Sequence, residues 1–196
     1  MNLRLVRDCV AVAALIATAA ALSSCVPVMV AGGVAAGAAI ATDRRTTGAQ
    51  LDDEVIEDKT ALALKERFKG DFHINVTSYN GIVLLTGEVP AESAKADVEQ
   101  LVRSTPKVRA VQDELVVGPV TDLSSRSNDT LITSKVKARF VEENKFQINH
   151  VKVVTERGVV YLMGVVTREE GAAAAQIAST TEGVQRVVKV FEYVNG

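Results

Sequence analysis

Residues 74–89 read INVTSYNGIVLLTGEV and residues 151–166 read VKVVTERGVVYLMGVV, so one pattern occurs twice, 77 positions apart. In each copy, two runs of apolar and β-branched residues flank a turn that contains Gly81 or Gly158. Asn80-Gly81 is typical of a β-hairpin turn because both residues tolerate a positive φ. The pattern predicts one antiparallel hairpin in each half of the chain, and the repeat indicates two copies of one small module.

Helices are predicted on both sides of each hairpin. Before the first hairpin, residues 53–69 carry core-facing positions at every fourth residue, namely Thr60, Leu64 and Phe68. Residues 129–143 repeat this spacing before the second hairpin with Ile132, Val136 and Phe140. Further helices are predicted over residues 91–104 and 168–180, and closing strands over residues 108–117 and 184–194. The order in each copy is αββαβ. We therefore predict an α+β fold of two tandem modules, each a three-stranded mixed sheet packed on two helices.

The chain divides into five predicted segments. Residues 1–24 are a lipoprotein signal peptide, residues 25–50 a lipidated Gly/Ala-rich tether, residues 51–118 the first module, residues 119–128 a linker and residues 129–196 the second module.

The first segment has the pattern of a secretory signal. Arg4 and Arg7 form a short basic region, residues 9–22 are apolar, and Leu-Ser-Ser-Cys ends at Cys25. This ending resembles a bacterial lipobox, in which the Cys25 sulfur carries a diacylglyceryl thioether. Val26 follows, where Asp would signal retention in the inner membrane. The sequence thus predicts a lipid-anchored protein of the outer membrane that faces the periplasm.

Composition and motifs exclude several function classes. With 22 basic and 24 acidic residues the net charge is −2, which predicts no nucleic-acid partner. Both cysteines precede residue 26, so no disulfide framework is expected. No nucleophile or nucleotide-binding motif occurs, which predicts no enzyme activity and no catalytic residue. His73 and His150 occupy matching positions without a ligand cluster, so we predict structural roles for both, no metal and no cofactor other than the lipid on Cys25.

The repeat resembles a known family. Residues 80–87, NGIVLLTG, are similar to the central motif of the BON domain, and the order lipobox, Gly/Ala tract and two such units resembles the outer-membrane lipoproteins with two BON domains. The resemblance implies binding modules rather than enzymes. It also implies that the first helix of the second module binds anionic phospholipid, chiefly phosphatidylglycerol, and that the protein supports outer-membrane integrity at the division site. Such lipoproteins carry Trp where this chain has Leu131.

The charge of that helix agrees with this implication. Residues 129–139 contain three basic residues and one acidic residue, whereas the matching residues 53–69 contain four basic and five acidic residues. Basic residues near an anionic membrane each contribute about 1 kcal/mol. The predicted phospholipid-binding residues are Leu131, Ser134, Lys135, Lys137, Ala138 and Arg139.

Two other functions remain open from the sequence. The acidic run Asp52-Asp53-Glu54 with Glu57-Asp58 fits a cation or a basic partner, which suggests a periplasmic protein-interaction adaptor for envelope or cell-wall factors. Acidic residues at a helix start also favour the helix itself. A chaperone-like role is the third alternative.

Overall fold

A computed structural model describes residues 43–70 and 72–195 of the chain, which belong to one compact unit, Thr42–Gly196. It contains two αββαβ modules, so the predicted fold class is confirmed. The first module comprises α1 (Thr47–Arg67), β1 (His73–Tyr79), β2 (Ile82–Val89), α2 (Glu92–Arg103), β3 (Ala110–Asp113) and β4 (Val116–Val117). The second comprises α3 (Leu123–Glu143), a 3-10 turn (Ile148–His150), β5 (Val151–Glu156), β6 (Val159–Val166), α4 (Arg168–Ser179) and β7 (Arg186–Tyr193).

Each sheet has the hairpin's second strand at its centre. β2 runs antiparallel to β1 and parallel to β3 and β4, and β6 runs antiparallel to β5 and parallel to β7. The hairpin turns adopt positive φ at both central residues, with 53° and 74° at Asn80 and Gly81 and 53° and 73° at Arg157 and Gly158. These angles fit the two-residue turn that the sequence predicted.

Alternation along the central strands separates two apolar faces. Val83, Leu85 and Val89 of β2 pack under α1 and α2, and Val160, Leu162 and Val166 of β6 pack under α3 and α4. The neighbouring positions point the other way. Tyr79 and Leu84 of the first module join Tyr161, Met163 and Val165 of the second in a third cluster. The two sheets therefore face each other, and each is covered on its far side by two helices.

The same close backbone approach near the end of each central strand explains one glycine of the repeat. A Cβ on Gly87 would lie 1.9 Å from the His73 carbonyl oxygen, and a Cβ on Gly164 would lie 2.2 Å from that of His150. Glycine is needed at both positions because the backbone at or just before the start of the antiparallel partner strand approaches so closely.

Both first helices begin earlier than predicted. α1 starts at Thr47 because the Thr46 side chain accepts a hydrogen bond from the Ala49 N–H, and α3 starts at Leu123 because Asp122 accepts one from Ser125. Part of the predicted tether and of the predicted linker is therefore helical. The closing strand of the first module is interrupted between β3 and β4, where the Asp113 carboxylate accepts the Leu115 N–H and Leu115 turns into the core.

The predicted signal peptide, the lipobox at Cys25 and the tract after Val26 lie outside the described residues. In the described part of the chain, no helix is both long and apolar enough to cross a membrane.

Candidate functional site

Helix α3 has one buried side and one exposed side. Ile132, Val136 and Phe140 lie in the core of the second module. Among the predicted lipid-binding residues, five are exposed on the opposite side: Leu131, Ser134, Lys135, Lys137 and Ala138. The fold therefore brings these five together on one accessible surface.

Arg139 has a different environment. It is half-buried, and its guanidinium donates to the Ile177 carbonyl (2.9 Å), the Thr180 hydroxyl (2.8 Å) and the Glu143 carboxylate (2.6 Å). The bonds to Ile177 and Thr180 cap the carboxyl end of α4, whose last carbonyl groups have no partner within the helix, whereas the Glu143 bond lies within α3. Arg139 thus holds α3 against α4, and its charge is already partly used within the protein.

Two exposed apolar residues of α3 were missed by the sequence reasoning. Leu123 is 73% exposed and Val141 63% exposed, close to the 61% of Leu131. Leu123 and Val141 are 18 positions apart, about five helical turns, so they lie on the same side. The signal was the apolar spacing of 18 residues, but it could not be seen because Leu123 lies before residue 129, where the helix was expected to begin.

The two exposed lysines differ in their surroundings. The Lys135 ammonium donates to Glu182 at 2.7 Å, and this bond lowers the pKa of the Glu182 carboxyl. Within the described residues, Lys137 forms no ion pair. Both lysines are exposed. The Lys135–Glu182 pair is also exposed, and such pairs are weak, so Lys135 can exchange Glu182 for another anionic partner.

Helix α1 offers a comparison within the same molecule. It also exposes apolar residues, namely Leu51, Val55 and Leu62. However, α1 carries six acidic and three basic residues, whereas α3 carries three acidic and four basic residues. The two matching helices thus share an apolar outer side but differ in net charge, −3 against +1.

The acidic run of α1 is engaged inside the protein in part, through Asp53 and Glu57, whereas Glu54 and Asp58 are exposed. Asp53 is buried and accepts hydrogen bonds from the Asn80 and Gly81 N–H groups at 2.7 and 2.8 Å. Glu57 accepts the Ser78 N–H and pairs with Lys152 of the second module. The sequence left open a cation, a basic partner or a helix-start role for this run, because nothing in it indicates that a carboxylate would reach the hairpin turn.

The segment before α1 joins the two modules. Arg44 donates to the Val165 carbonyl and forms a two-bond ion pair with Glu170. Arg45 lies 3.9 Å above the Tyr79 ring and pairs with Asp43 and Asp53. Burial raises the pKa of both Asp43 and Glu170, but hydrogen bonds from Arg45 and Arg44 outweigh it and hold each pKa below its usual value. This segment lies within residues 25–50, which the sequence predicts to be a tether.

Comparison with known proteins gives the family. The BON domain profile matches residues 52–119 and 128–195, one match for each module. The chain belongs to the BON domain family. Three curated relatives align with most of the chain. It is 39% identical over 176 residues to outer membrane lipoprotein DolP of Haemophilus influenzae, spanning 89% of this chain and 91% of that protein.

Two more distant BON relatives have other names. The 21 kDa hemolysin of Actinobacillus pleuropneumoniae is 35% identical over 78% of this chain and 79% of its own length. Osmotically-inducible protein Y of Escherichia coli is 28% identical over 78% of each chain. The predicted membership of the two-BON outer-membrane lipoproteins and the predicted location are confirmed by the DolP relationship.

A polar group occupies the junction of the two BON domains. The His73 Nδ1 lies 3.0 Å from Glu88 Oε2 in the first domain and 3.9 Å from Glu156 Oε1 in the second. Asn75 donates to the other oxygen of Glu156 at 2.9 Å, and the Thr121 N–H and hydroxyl donate to Glu88 at 3.2 Å. Burial raises the pKa of the Glu156 carboxyl. The sequence predicts a structural role for His73 because no ligand cluster lies near it in the chain. Glu88 and Glu156, which the fold brings to it, are distant in sequence.

Proposed function

We propose that this BON protein binds anionic phospholipid, chiefly phosphatidylglycerol, through the outer side of α3. From the outer membrane it would support envelope integrity, at the division site. The main support for this proposal is the exposed side of α3, where Leu123, Leu131 and Val141 form an apolar surface. The exposed Lys135 and Lys137 lie next to it. Apolar side chains beside ammonium groups suit the boundary between acyl chains and phosphate headgroups. Cys25 would carry the lipid that anchors the chain.

Electrostatics alone gives weak binding. Two exposed lysines near an anionic surface contribute roughly 2 kcal/mol, at about 1 kcal/mol each. Insertion of the three apolar side chains adds to this, at about 1.5–3 kcal/mol for each that becomes fully buried. Arg139 contributes little because its donors are already bonded to α4 and Glu143. The anchor raises the effective concentration of α3 at the membrane, so weak intrinsic affinity suffices.

The same reasoning disfavours α1 as the lipid-binding helix. Its apolar side is comparable, but its net charge of −3 is repelled by anionic headgroups. The two helices therefore form a matched pair in which charge is the main variable.

The first experiment is a titration of residues 43–196, which lie within one compact unit, with phosphatidylglycerol micelles and with phosphatidylcholine micelles. NMR shifts should concentrate on α3 and occur only with the anionic lipid. Replacing Lys135 and Lys137 by Glu should weaken binding to phosphatidylglycerol vesicles by at least about 30-fold, the equivalent of roughly 2 kcal/mol.

The matched control replaces Lys59 and Lys65 of α1 by Glu, which should leave vesicle binding unchanged. Shifts that are equal with both lipids, or equal losses in the two variants, would overturn the proposal. That result would favour the adaptor alternative, in which a periplasmic envelope protein is the partner. The acidic surface for that role is reduced, since Asp53 and Glu57 are bonded within the protein. Either role is binding without catalysis.

A further inference from the structure

Two buried carboxylates and one imidazole meet where the BON domains face each other. The carboxylates belong to Glu88 at the end of β2 and Glu156 at the end of β5, and the imidazole belongs to His73 at the start of β1. One potential ligand atom from each residue lies within 4.8 Å of the other two. Protein ligands bound to one first-row metal ion lie slightly closer together, so small side-chain rotations complete the geometry.

The charge of this group is incompletely balanced. Glu88 is 0% exposed, and its Oε1 accepts no hydrogen bond from any described residue. The neighbouring cation is the Arg157 guanidinium, whose Nη1 lies 3.8 Å from that oxygen, beyond hydrogen-bonding distance. A buried carboxylate oxygen without a donor is costly, and native proteins usually satisfy such atoms. The other oxygen, Oε2, lies 3.0 Å from His73 Nδ1 and accepts both Thr121 donors, so Oε1 is the Glu88 oxygen that a bound cation would satisfy.

The surroundings orient the ligands and leave an access route. Asn75 fixes Glu156, and Thr121 fixes Glu88, each through bonds to the carboxylate. Partners of this kind hold the first ligands of metal sites in place. His73, Asn75 and Glu156 also line a cavity of about 260 Å³, which has room for an ion and its water.

We propose that His73, Glu88 and Glu156 form a divalent metal site of the zinc class. One imidazole nitrogen and two carboxylate oxygens give three protein ligands, and water completes a tetrahedral set. Ca²⁺ and Mg²⁺ prefer all-oxygen sites with more ligands, so they should bind poorly. The positive charges of Arg157 and of Arg126, which lines the cavity, oppose the ion. We therefore expect a dissociation constant on the order of micromolar.

Such an ion would link the two BON domains. His73 and Glu88 belong to the first domain, and Glu156 belongs to the second. An ion that binds only the folded arrangement stabilises it in proportion to its concentration. The site would therefore fix the two sheets face to face, independently of any lipid bound at α3.

The test is isothermal titration of the full chain, purified in a non-ionic detergent, with ZnCl2 and with CaCl2. We expect one zinc per chain, no measurable calcium binding, and a rise in Tm of about 5–10 °C at a zinc concentration 100 times the dissociation constant. H73Q and E156Q should each weaken zinc binding at least about 10-fold. The matched control is H150Q, because His150 occupies the corresponding position in the second domain, where it pairs with Glu170 at 3.3 Å and lies outside the proposed site.

A spectroscopic readout avoids dependence on variants that fold poorly. The chain contains two histidines, so the imidazole ¹⁵N resonances of the unaltered protein can be assigned with H150Q. Zinc should shift the ring nitrogens of His73 and leave those of His150 in place. The absence of zinc binding, or binding that H73Q leaves intact, or equal shifts at both histidines, would overturn the proposal.

Discussion

A single carboxylate holds the hairpin turn in each BON domain. Asp129 of α3 accepts the Arg157 and Gly158 N–H groups, both at 2.8 Å, as Asp53 of α1 does for the first turn. Both N–H groups of each turn are directed toward the helix, where the Asp53 or Asp129 carboxylate is buried. Each aspartate therefore satisfies two donors that would otherwise be buried without partners.

Replacing Asp129 by Ala should lower the free energy of unfolding by about 3 kcal/mol, because two charge-assisted hydrogen bonds are lost and their donors remain partly buried. Urea unfolding followed by circular dichroism measures this loss. Glu142→Ala on the same helix is the control, since Glu142 is exposed and its removal should change stability by less than about 0.5 kcal/mol. Equal effects of the two substitutions would contradict the role of Asp129 at the turn.

At the scale of elements, the sequence predicted what depends on local pattern. Apolar alternation and the Asn80-Gly81 turn located the hairpins, and four-residue apolar spacing located the helices. Helix starts were missed because Thr46 and Asp122, which cap α1 and α3, precede the first apolar repeat. The apolar side of α3 was consequently underestimated, since Leu123 was assigned to a linker.

Because the chain contains no tryptophan, a single Trp introduced on α3 can report on membrane binding by its fluorescence. Leu131→Trp should strengthen binding to phosphatidylglycerol vesicles by roughly fivefold, about 1 kcal/mol, because the indole ring favours the membrane interface. Its fluorescence should shift to the blue when vesicles are added. Leu51→Trp on α1 is the matched control, since both leucines are more than half exposed. A blue shift at position 51 equal to that at position 131 would assign lipid binding to both helices.

At the scale of the whole molecule, the pairing of the two sheets was beyond the sequence. Alternating Val and Leu predicted which strand positions are apolar, but both faces of β2 and β6 are apolar and nothing local indicates what covers the second face. The junction brings together residues that are far apart in the chain, such as His73 with Glu156 and Arg44 with Glu170. Neither pair has a motif, so neither the polar group nor the Arg44 contact could be predicted.

The Arg44 contact predicts a pH dependence. Arg44→Met should lower the free energy of unfolding at pH 7 by about 1 kcal/mol, since it removes a half-buried two-bond ion pair with Glu170 and a bond to the Val165 carbonyl. The pKa of Glu170 is lower in the folded protein than its usual value of about 4.3. The ion pair's contribution is therefore complete above about pH 5 and is lost as the pH falls through the lowered pKa.

Urea unfolding of both proteins at pH 7, 5, 4 and 3 measures this dependence, and the difference in stability should shrink below pH 5. Arg67→Met is the control, because Arg67 and Asp97 are 4.0 Å apart and both more than half exposed. Its effect should stay below about 0.3 kcal/mol at every pH. A difference for Arg44→Met that persists unchanged to pH 3 would assign the stabilisation to the Val165 carbonyl. In that case Arg44 would tie the segment before α1 to the second BON domain without any sensitivity to acid.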